Sequence, residues 1–297
     1  MLTHTFCHLT RIGERFETLL WSHGVHTWAD ACAAPAMLVS RLRSEQFVQE
    51  LDASRRALSE QNPRFFSDSL PSHLHWRFYP DFMHVTAFLD IETSGLSEYH
   101  DHPTTVTLFD GQTIKYYIYG LNLDRLPDDL SAYKVLVTYN GRRFDIPCLE
   151  RHFKLHLPHA QIDLRYVLQR LGYRGGLKAC ERALGIQRGD LDGVDGYMAV
   201  LLWREYARSA NPAALETLLA YNIADTVNLL PLMILAYNLH VQRTPFAAIR
   251  ALPMRTLPEI PFQPHSETLS RLRWMCDRYG DSRSTPPAAP QWTEPVL

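Results

Sequence analysis

The first 60 residues carry apolar side chains at helical spacing. Phe16, Leu19 and Leu20 recur on one helical face, Gly24 is placed to end that helix, and Thr27 is placed to cap the next. We therefore predict a small helical domain over residues 1–60. Residues 61–83 are predicted to be a packed linker, with four aromatic anchors: Trp76, Phe78, Tyr79 and Phe82.

The pattern changes to strands at residue 84. Strands are predicted over residues 84–93, 104–109, 113–119, 134–139 and 160–163, and Asp110-Gly111 is typical of a hairpin turn. Helices are predicted after Asp145 and over residues 164–171, 177–184, 197–208 and 212 to about 230. These elements place the main domain at residues 84–240. A proline-rich extension over residues 241–297 follows, with a disordered tail expected from about residue 285.

Composition narrows the class of protein. The chain has 297 residues, 46% of them hydrophobic, and a formal net charge of −2, so any nucleic-acid binding must come from a local basic patch. Its five cysteines show no Cys-x-x-Cys spacing, which argues against a disulfide framework or a zinc finger. There is no signal-peptide pattern, and Pro231 interrupts the longest apolar stretch. We expect a cytoplasmic protein that does not span a membrane.

Two acids end the first predicted strand. Asp90 and Glu92 are two residues apart, so both side chains point to the same face of the sheet, just before Gly95. A divalent cation such as Mg²⁺ or Mn²⁺ between them would offset their repulsion. The alternative is that they are only the polar end of an edge strand.

Two later segments carry further acids. Asn140-Gly141 forms a turn after a buried strand, and Asp145 begins the next helix, where the helix dipole also favours an acid with no other role. Tyr221 and Asp225 lie four apart on one face of an apolar helix. A carboxylate there needs a partner, unless it reaches solvent from a half-exposed face.

Asp90-x-Glu92, Asn140-Gly-x-x-Phe144-Asp145 and Tyr221-x-x-x-Asp225, in that order, resemble the three motifs of DEDD-type 3′–5′ exonucleases. Tyr221 matches the tyrosine branch of that superfamily, because the position of the alternative histidine is Ala220. The N-terminal pattern Ile12-Gly13 … Leu20-Trp21-x-x-Gly24-x-x-x-Trp28 is similar to that of the bacterial YprB-type subgroup. The resemblance implies an RNase H-like α/β fold with a mixed sheet of three antiparallel strands plus parallel strands, flanked by helices.

The resemblance also implies roles. Asp90, Glu92, Asp145 and Asp225 would hold two Mg²⁺ or Mn²⁺ ions for phosphodiester hydrolysis, with Asp90 bridging both ions and Asp145 acting through water. Tyr221 would orient the attacking water. Seven residues of the same motifs would contact the substrate: Thr93, Gly95, Leu96, Asn140, Arg142, Arg143 and Phe144.

A local surplus of Lys and Arg suggests a polyanionic ligand. Between residues 142 and 188 there are ten Lys or Arg and four acids, a surplus that could neutralise phosphates or could simply be a solvated surface. The N-terminal segment around Gly13 and Gly24 resembles a helix-hairpin-helix phosphate site, although a packing module without a ligand explains the same residues.

The sequence therefore predicts a 3′–5′ exonuclease acting on single-stranded DNA or RNA. Two alternatives stay open: a structure-selective endonuclease on the same fold, and a non-catalytic nucleic-acid-binding or scaffold protein that has kept the acids. A helicase or another nucleic-acid-processing protein is a candidate partner, and no motif identifies it.

Overall fold

A computed structural model describes residues 1–33, 45–95 and 101–279. It contains a five-stranded sheet in the order β3-β2-β1-β4-β5. The strands are β1 (Thr86–Thr93), β2 (Pro103–Phe109), β3 (Ile114–Ile118), β4 (Val135–Thr138) and β5 (Ala160–Asp163). β1, β2 and β3 are antiparallel neighbours, whereas β4 runs parallel to both β1 and β5. The predicted α/β fold with a mixed sheet is confirmed. Leu96 and the predicted tail lie outside the described residues.

Helices precede and cover the sheet. They are α1 (Glu14–Ser22), α2 (Trp28–Ala33), α3 (Glu45–Ser59), α4 (Pro63–Ser69), α5 (Tyr79–Phe82), α6 (Leu126–Leu130), α7 (Asp145–Phe153), α8 (Leu164–Leu171), α9 (Leu177–Ala183), α10 (Gly196–Ser209), α11 (Pro212–Val241), α12 (Ala247–Arg250) and α13 (Ser266–Tyr279). Short 3₁₀ segments include Ser72–Phe78 and Gly189–Leu191.

The sheet has an apolar layer on each face, because side chains alternate along its strands. On one face Leu89 and Ile91 of β1 join a buried cluster with residues of α6 and α7, such as Leu126 and Leu149. On the other face Phe88 belongs to a larger cluster that includes residues of α8, α10 and α11 and of the N-terminal helices. β1 is thus a central strand, and the view of Asp90 and Glu92 as the end of an edge strand is wrong.

The hairpin at Asp110 forms as its sequence indicates. The Asp110 Oδ1 accepts the backbone N–H groups of Gln112 at 2.9 Å and Thr113 at 2.7 Å. Gly111 has φ of +93°, a conformation that side chains other than glycine rarely adopt. This turn sets the pairing of β2 with β3.

α11 is longer than predicted, because it continues through Pro231 to Val241. An internal proline removes one backbone hydrogen bond and costs about 3 kcal/mol. The residues beyond it are almost fully buried, including Leu232, Met233 and Tyr237, and their burial offsets that cost. The predicted end near residue 230 is therefore wrong.

By length and composition α11 could cross a membrane: it has 30 residues, and its most apolar 18-residue window has a mean hydropathy of 1.5. It is the one helix of this kind within the described ranges. However, 94% of that window is buried inside the protein, and a core helix passes the same test. The apolar character of α11 is therefore weak evidence for a membrane span.

The N-terminal region packs onto the sheet domain. Trp76, Phe78, Tyr79 and Phe82 are each at most 2% exposed, and the Trp76 ring stacks on His240 of α11 at 4.9 Å between ring centroids. Residues 61–83 are largely helical. A single buried apolar cluster includes residues from Met1 to Leu272, and the division of the chain into four parts stays a prediction.

The two tryptophans of the N-terminal pattern are buried. The Trp21 Nε1 donates to the His4 carbonyl at 3.1 Å, and the Trp28 Nε1 donates to the Thr5 carbonyl at 2.7 Å. Both indoles therefore hold this helical module together. A phosphate site in this segment stays a prediction.

Candidate metal centre

The parallel pairing of β1 with β4 determines where the acids meet. The carboxyl ends of parallel strands lie at the same edge of a sheet, so Asp90 and Glu92 on β1 lie near the turn that follows β4. Asp145 is the first residue of α7 after that turn. Asp225 projects from α11, which packs across β1 and β2. Acids from three segments that are far apart in sequence therefore meet at one edge of the sheet.

Three of these acids form a compact group. Asp90, Glu92 and Asp225 each offer a carboxylate oxygen, and the three oxygens lie within 4.8 Å of one another. Asp145 is not part of this group. Its Oδ1 accepts the backbone N–H of Ile91, between Asp90 and Glu92, at 3.2 Å.

Burial makes three of these acids, Asp90, Glu92 and Asp145, harder to ionise. Asp90 is half-buried, and Glu92, Asp145 and Asp225 are buried at 9%, 4% and 5% exposure. Burial, followed by repulsion from Asp145 and Asp225, raises the pKa of Asp90 well above its usual value. Burial and Asp225 do the same to the pKa of Glu92, and burial raises the pKa of Asp145 to about 7. Asp225 is buried, so the alternative in which it reaches solvent from a half-exposed helix face is wrong.

The donor set fits a hard divalent cation. Carboxylate oxygens are the ligands that Mg²⁺ and Mn²⁺ prefer, and a cation among them would relieve the repulsion. Thr105 of β2 lies opposite Glu92, and its buried hydroxyl has no hydrogen-bond partner in the described part of the chain. The group is thus polar, buried and short of positive charge.

Asn222 positions Asp90, a role that the sequence analysis missed. The Asn222 Nδ2 donates to the Asp90 Oδ2 at 2.8 Å, and the Thr107 hydroxyl donates to the Asn222 Oδ1 at 2.8 Å. Asn222 and Thr107 are fully buried. Because Thr107 pairs with Asp90 across the strands, the three side chains form a fixed unit. The position of Asn222 beside Tyr221 was its only sequence signal.

The turn between β4 and α7 is held by Asp163, another residue that the sequence analysis missed. The Asp163 carboxylate accepts the backbone N–H groups of Asn140 at 2.7 Å and Arg142 at 3.4 Å. Asn140 has φ of +66°, and a Cβ on Gly141 would lie 2.4 Å from the Thr138 hydroxyl oxygen. The Asn-Gly pair thus lets the turn fold tightly onto β4 and present Asp145.

The predicted substrate residues occupy different settings. The buried Thr93 hydroxyl donates to the Gly95 carbonyl at 2.7 Å. Phe144 packs against the α7 side of the core. Arg142 and Arg143 are exposed, and the Arg142 guanidinium donates to Ser72. Leu96 lies outside the described residues.

Tyr221 lies beside the acids, with its side chain only 2% exposed. Lys178 of α9 donates to the Tyr221 hydroxyl, and its Nζ lies 4.3 Å from the ring centroid. Burial, together with Asp225, Glu92 and Asp90, raises the pKa of Tyr221 above its usual range. The phenol therefore keeps its proton.

The predicted basic patch is not one surface. Lys178 and Arg188 point at the site instead, and the Arg188 guanidinium donates to Asp225. Arg170 pairs with Glu14 of α1 at 3.2 Å. The interpretation of the ten cations as one solvated or phosphate-binding surface is therefore wrong for Lys178 and Arg188, whereas Arg170 stays on an exposed surface.

A family model for the RNase H superfamily matches residues 87–237, about half of the 297 residues. The chain belongs to the RNase H superfamily. This fold normally uses divalent metal ions, and the Asp90, Glu92 and Asp225 group could bind one. The family match gives the chain an RNase H-like nuclease fold, which implies binding of nucleic acid.

Among solved structures, the chain is similar to the family B DNA polymerase from the hyperthermophilic archaeon Pyrobaculum calidifontis. The TM-score is 0.40 at 15% sequence identity, and the match covers 69% of this chain and 31% of the polymerase chain. At this similarity the match assigns no activity. A search of curated protein sequences finds no significant match.

Proposed function

We propose that this protein is a 3′–5′ exonuclease of the DEDD type, tyrosine branch, which hydrolyses single-stranded DNA or RNA with two Mg²⁺ or Mn²⁺ ions. The convergence of Asp90, Glu92 and Asp225 within 4.8 Å is the observation that carries the proposal. The position of Asp145 also supports the proposal. Asp145 accepts the backbone N–H of Ile91, so it lies next to the group of three acids without being one of its members.

The four carboxylates would hold two different cations. Asp90, Glu92 and Asp225 would hold one cation, and Asp145 would help to hold the second. When bound, the two cations would neutralise the charge that develops on the attacking and leaving oxygens of the phosphodiester. Asn222 keeps Asp90 aimed at the site through its 2.8 Å hydrogen bond.

Tyr221 would orient the attacking water. Its raised pKa rules against proton abstraction by a phenolate, because the neutral phenol persists over the usual pH range. Lys178 donates to the phenol oxygen, so the phenol's own proton stays free to donate to water or phosphate.

A cleft beside the metal centre supports binding of a single strand. It has a volume of about 560 Å³ and extends from the end of β4 to Leu177 at the start of α9, next to Lys178 in the sequence. Its lining combines two guanidinium groups with two phenol rings and includes no carboxylate: Tyr139, Asn140, Arg165, Gln169, Tyr173, Arg174, Gly175, Gly176 and Leu177. Arginines neutralise phosphates and aromatic rings stack on bases, which is the usual chemistry of single-strand binding.

The test is time-resolved degradation of 5′-labelled DNA and RNA, linear and circular, with Mg²⁺, Mn²⁺ or EDTA. Wild type is compared with Asp90→Ala and with Asp124→Asn, a control that removes an exposed acid elsewhere. A ladder shortening from the 3′ end is expected, absent with circles, EDTA or Asp90→Ala, and retained by Asp124→Asn.

Other outcomes would replace the proposal. Cutting of circles would establish an endonuclease on the same site. Binding without cleavage of single-stranded, duplex and branched substrates in either metal would show a nucleic-acid-binding protein that has kept the acids.

A further inference from the structure

Arg188 is buried between two carboxylates. Its Nη1 donates to the Glu181 Oε2 at 2.6 Å, and its Nη2 donates to the Asp225 Oδ1. The Arg188 side chain is 2% exposed, and that of Glu181 is fully buried. Asn228 of α11 holds the other Glu181 oxygen at 2.8 Å. The arginine is therefore fixed in place from both sides.

This contact puts a permanent cation on a metal-binding carboxylate. A guanidinium keeps its charge at every accessible pH and prefers carboxylate oxygens. Asp225 is one of the three acids whose oxygens converge. Arg188 and a divalent cation therefore draw on the same negative charge, in a buried setting where screening by solvent is weak.

Lys178 opposes the rise in the pKa of Glu92 through space, but it does not contact the acidic group directly as Arg188 does. Its amino group donates to the Tyr221 hydroxyl, and no hydrogen bond or ion pair joins it to Asp90, Glu92 or Asp225 within the described ranges. Among those residues, Arg188 is the cation that directly contacts a member of the group.

We propose that Arg188 is an internal counter-ion that competes with the divalent cation for Asp225, and that Glu181 limits this competition by holding part of the guanidinium charge. The proposal rests on the metal centre of the proposed function. It makes the buried Glu181–Arg188 pair the device that sets metal affinity in the free protein.

The pair predicts opposite effects from its two halves. Arg188→Met removes the competitor, so metal-free protein should bind Mn²⁺ about tenfold more tightly. Glu181→Gln keeps the shape and the Asn228 contact but leaves the Arg188 charge to Asp225 alone, so Mn²⁺ binding should weaken severalfold. Arg182→Met removes an exposed cation from α9, the helix that carries Glu181. It should change the Mn²⁺ dissociation constant by less than twofold.

The measurement is a titration of Mn²⁺ into metal-free protein. Calorimetry gives the heat of binding, and electron paramagnetic resonance gives the concentration of Mn²⁺ that stays free. Unchanged or weaker binding by Arg188→Met, or tighter binding by Glu181→Gln, would overturn the proposal. If Arg188→Met does not fold, Glu181→Gln decides, because it is nearly isosteric. Wild type that binds no Mn²⁺ would instead overturn the metal centre itself, so the two failures are distinguishable.

Discussion

Two of the places where residues 1–33, 45–95 and 101–279 bury charged side chains differ, because one is balanced and the other is not. Near the N-terminus the Arg77 Nη1 donates to both oxygens of Glu17, at 2.7 Å and 2.6 Å, and the two side chains are 4% and 1% exposed. Glu17 also accepts the backbone N–H of Phe6 at 2.6 Å. Each charge there has an opposite charge, and the Arg77 guanidinium also lies over the rings of Trp21 and Trp76.

The acidic group at the sheet edge is different. Burial, together with repulsion between its members, raises the pKa values of Asp90 and Glu92, and Arg188 already divides its charge with Glu181. Burial of a paired charge serves the fold, whereas a buried surplus of one sign needs a ligand. The comparison separates a structural ion pair from a functional site.

The largest expected effect comes from removing one acid from the surplus. Asp90→Asn keeps the shape and the contact with Asn222 but lowers the charge that holds a cation. Metal ions contribute several kcal/mol to such reactions, so turnover should fall by about 10³-fold or more while the fold persists. Steady-state cleavage of a labelled oligonucleotide, with circular dichroism as the folding check, tests this. Retained turnover would contradict the assignment of Asp90.

Breaking the balanced pair of Arg77 and Glu17 should lower the stability of the protein and leave its turnover unchanged. Arg77→Met leaves Glu17 buried without a counter-charge, so the free energy of unfolding should fall by about 3–5 kcal/mol. Turnover per folded molecule should not change. Urea unfolding measures the loss, and Glu17→Gln combined with Arg77→Met is the matched control. The double variant should recover much of the stability, and equal losses in the single and double variants would contradict the account.

Acid should disturb the region around the balanced pair through His240. Burial lowers the His240 pKa from 6.5 to about 4, and the neutral ring contacts the Val167 carbonyl at 3.0 Å. The unfolded chain binds the proton first, so this contribution is complete above pH 6.5 and is lost as pH falls to about 4. The loss should reach about 3 kcal/mol.

His240→Gln keeps a donor for Val167 but does not titrate. Its free energy of unfolding, measured between pH 7 and pH 4, should fall less steeply than that of wild type. Parallel curves for the two proteins would show that His240 does not carry the acid sensitivity.

The smallest effect expected concerns the support of Asp90. Asn222→Ala removes the hydrogen bond to Asp90 and leaves the Thr107 hydroxyl unpaired, so turnover should fall about 10–100-fold. Thr107→Val keeps Asn222 on Asp90 and should cost less. The dependence of turnover on Mg²⁺ concentration checks both variants, and a larger loss in Thr107→Val than in Asn222→Ala would contradict this order.

Local patterns in the sequence were enough to predict the strands, the turn at Asn140-Gly141 and the acids. They could not show Asn222 holding Asp90, a contact across 132 positions, or Arg188 turning inward to Asp225. A surplus of cations along the chain says nothing about which way each side chain points. The helix that continues through Pro231 was missed for a similar reason, because tertiary burial outweighs a local rule.

Thermal unfolding of wild type and Asp90→Asn, first in EDTA and then in saturating Mg²⁺, tests the central claim most directly. In EDTA the variant should be the more stable protein, because it lacks a carboxyl group whose ionisation is opposed by burial and by the neighbouring acids. In Mg²⁺ the order should reverse, since wild type alone keeps the full set of ligands. A wild type that Mg²⁺ does not stabilise, or that is already the more stable protein in EDTA, would contradict the account.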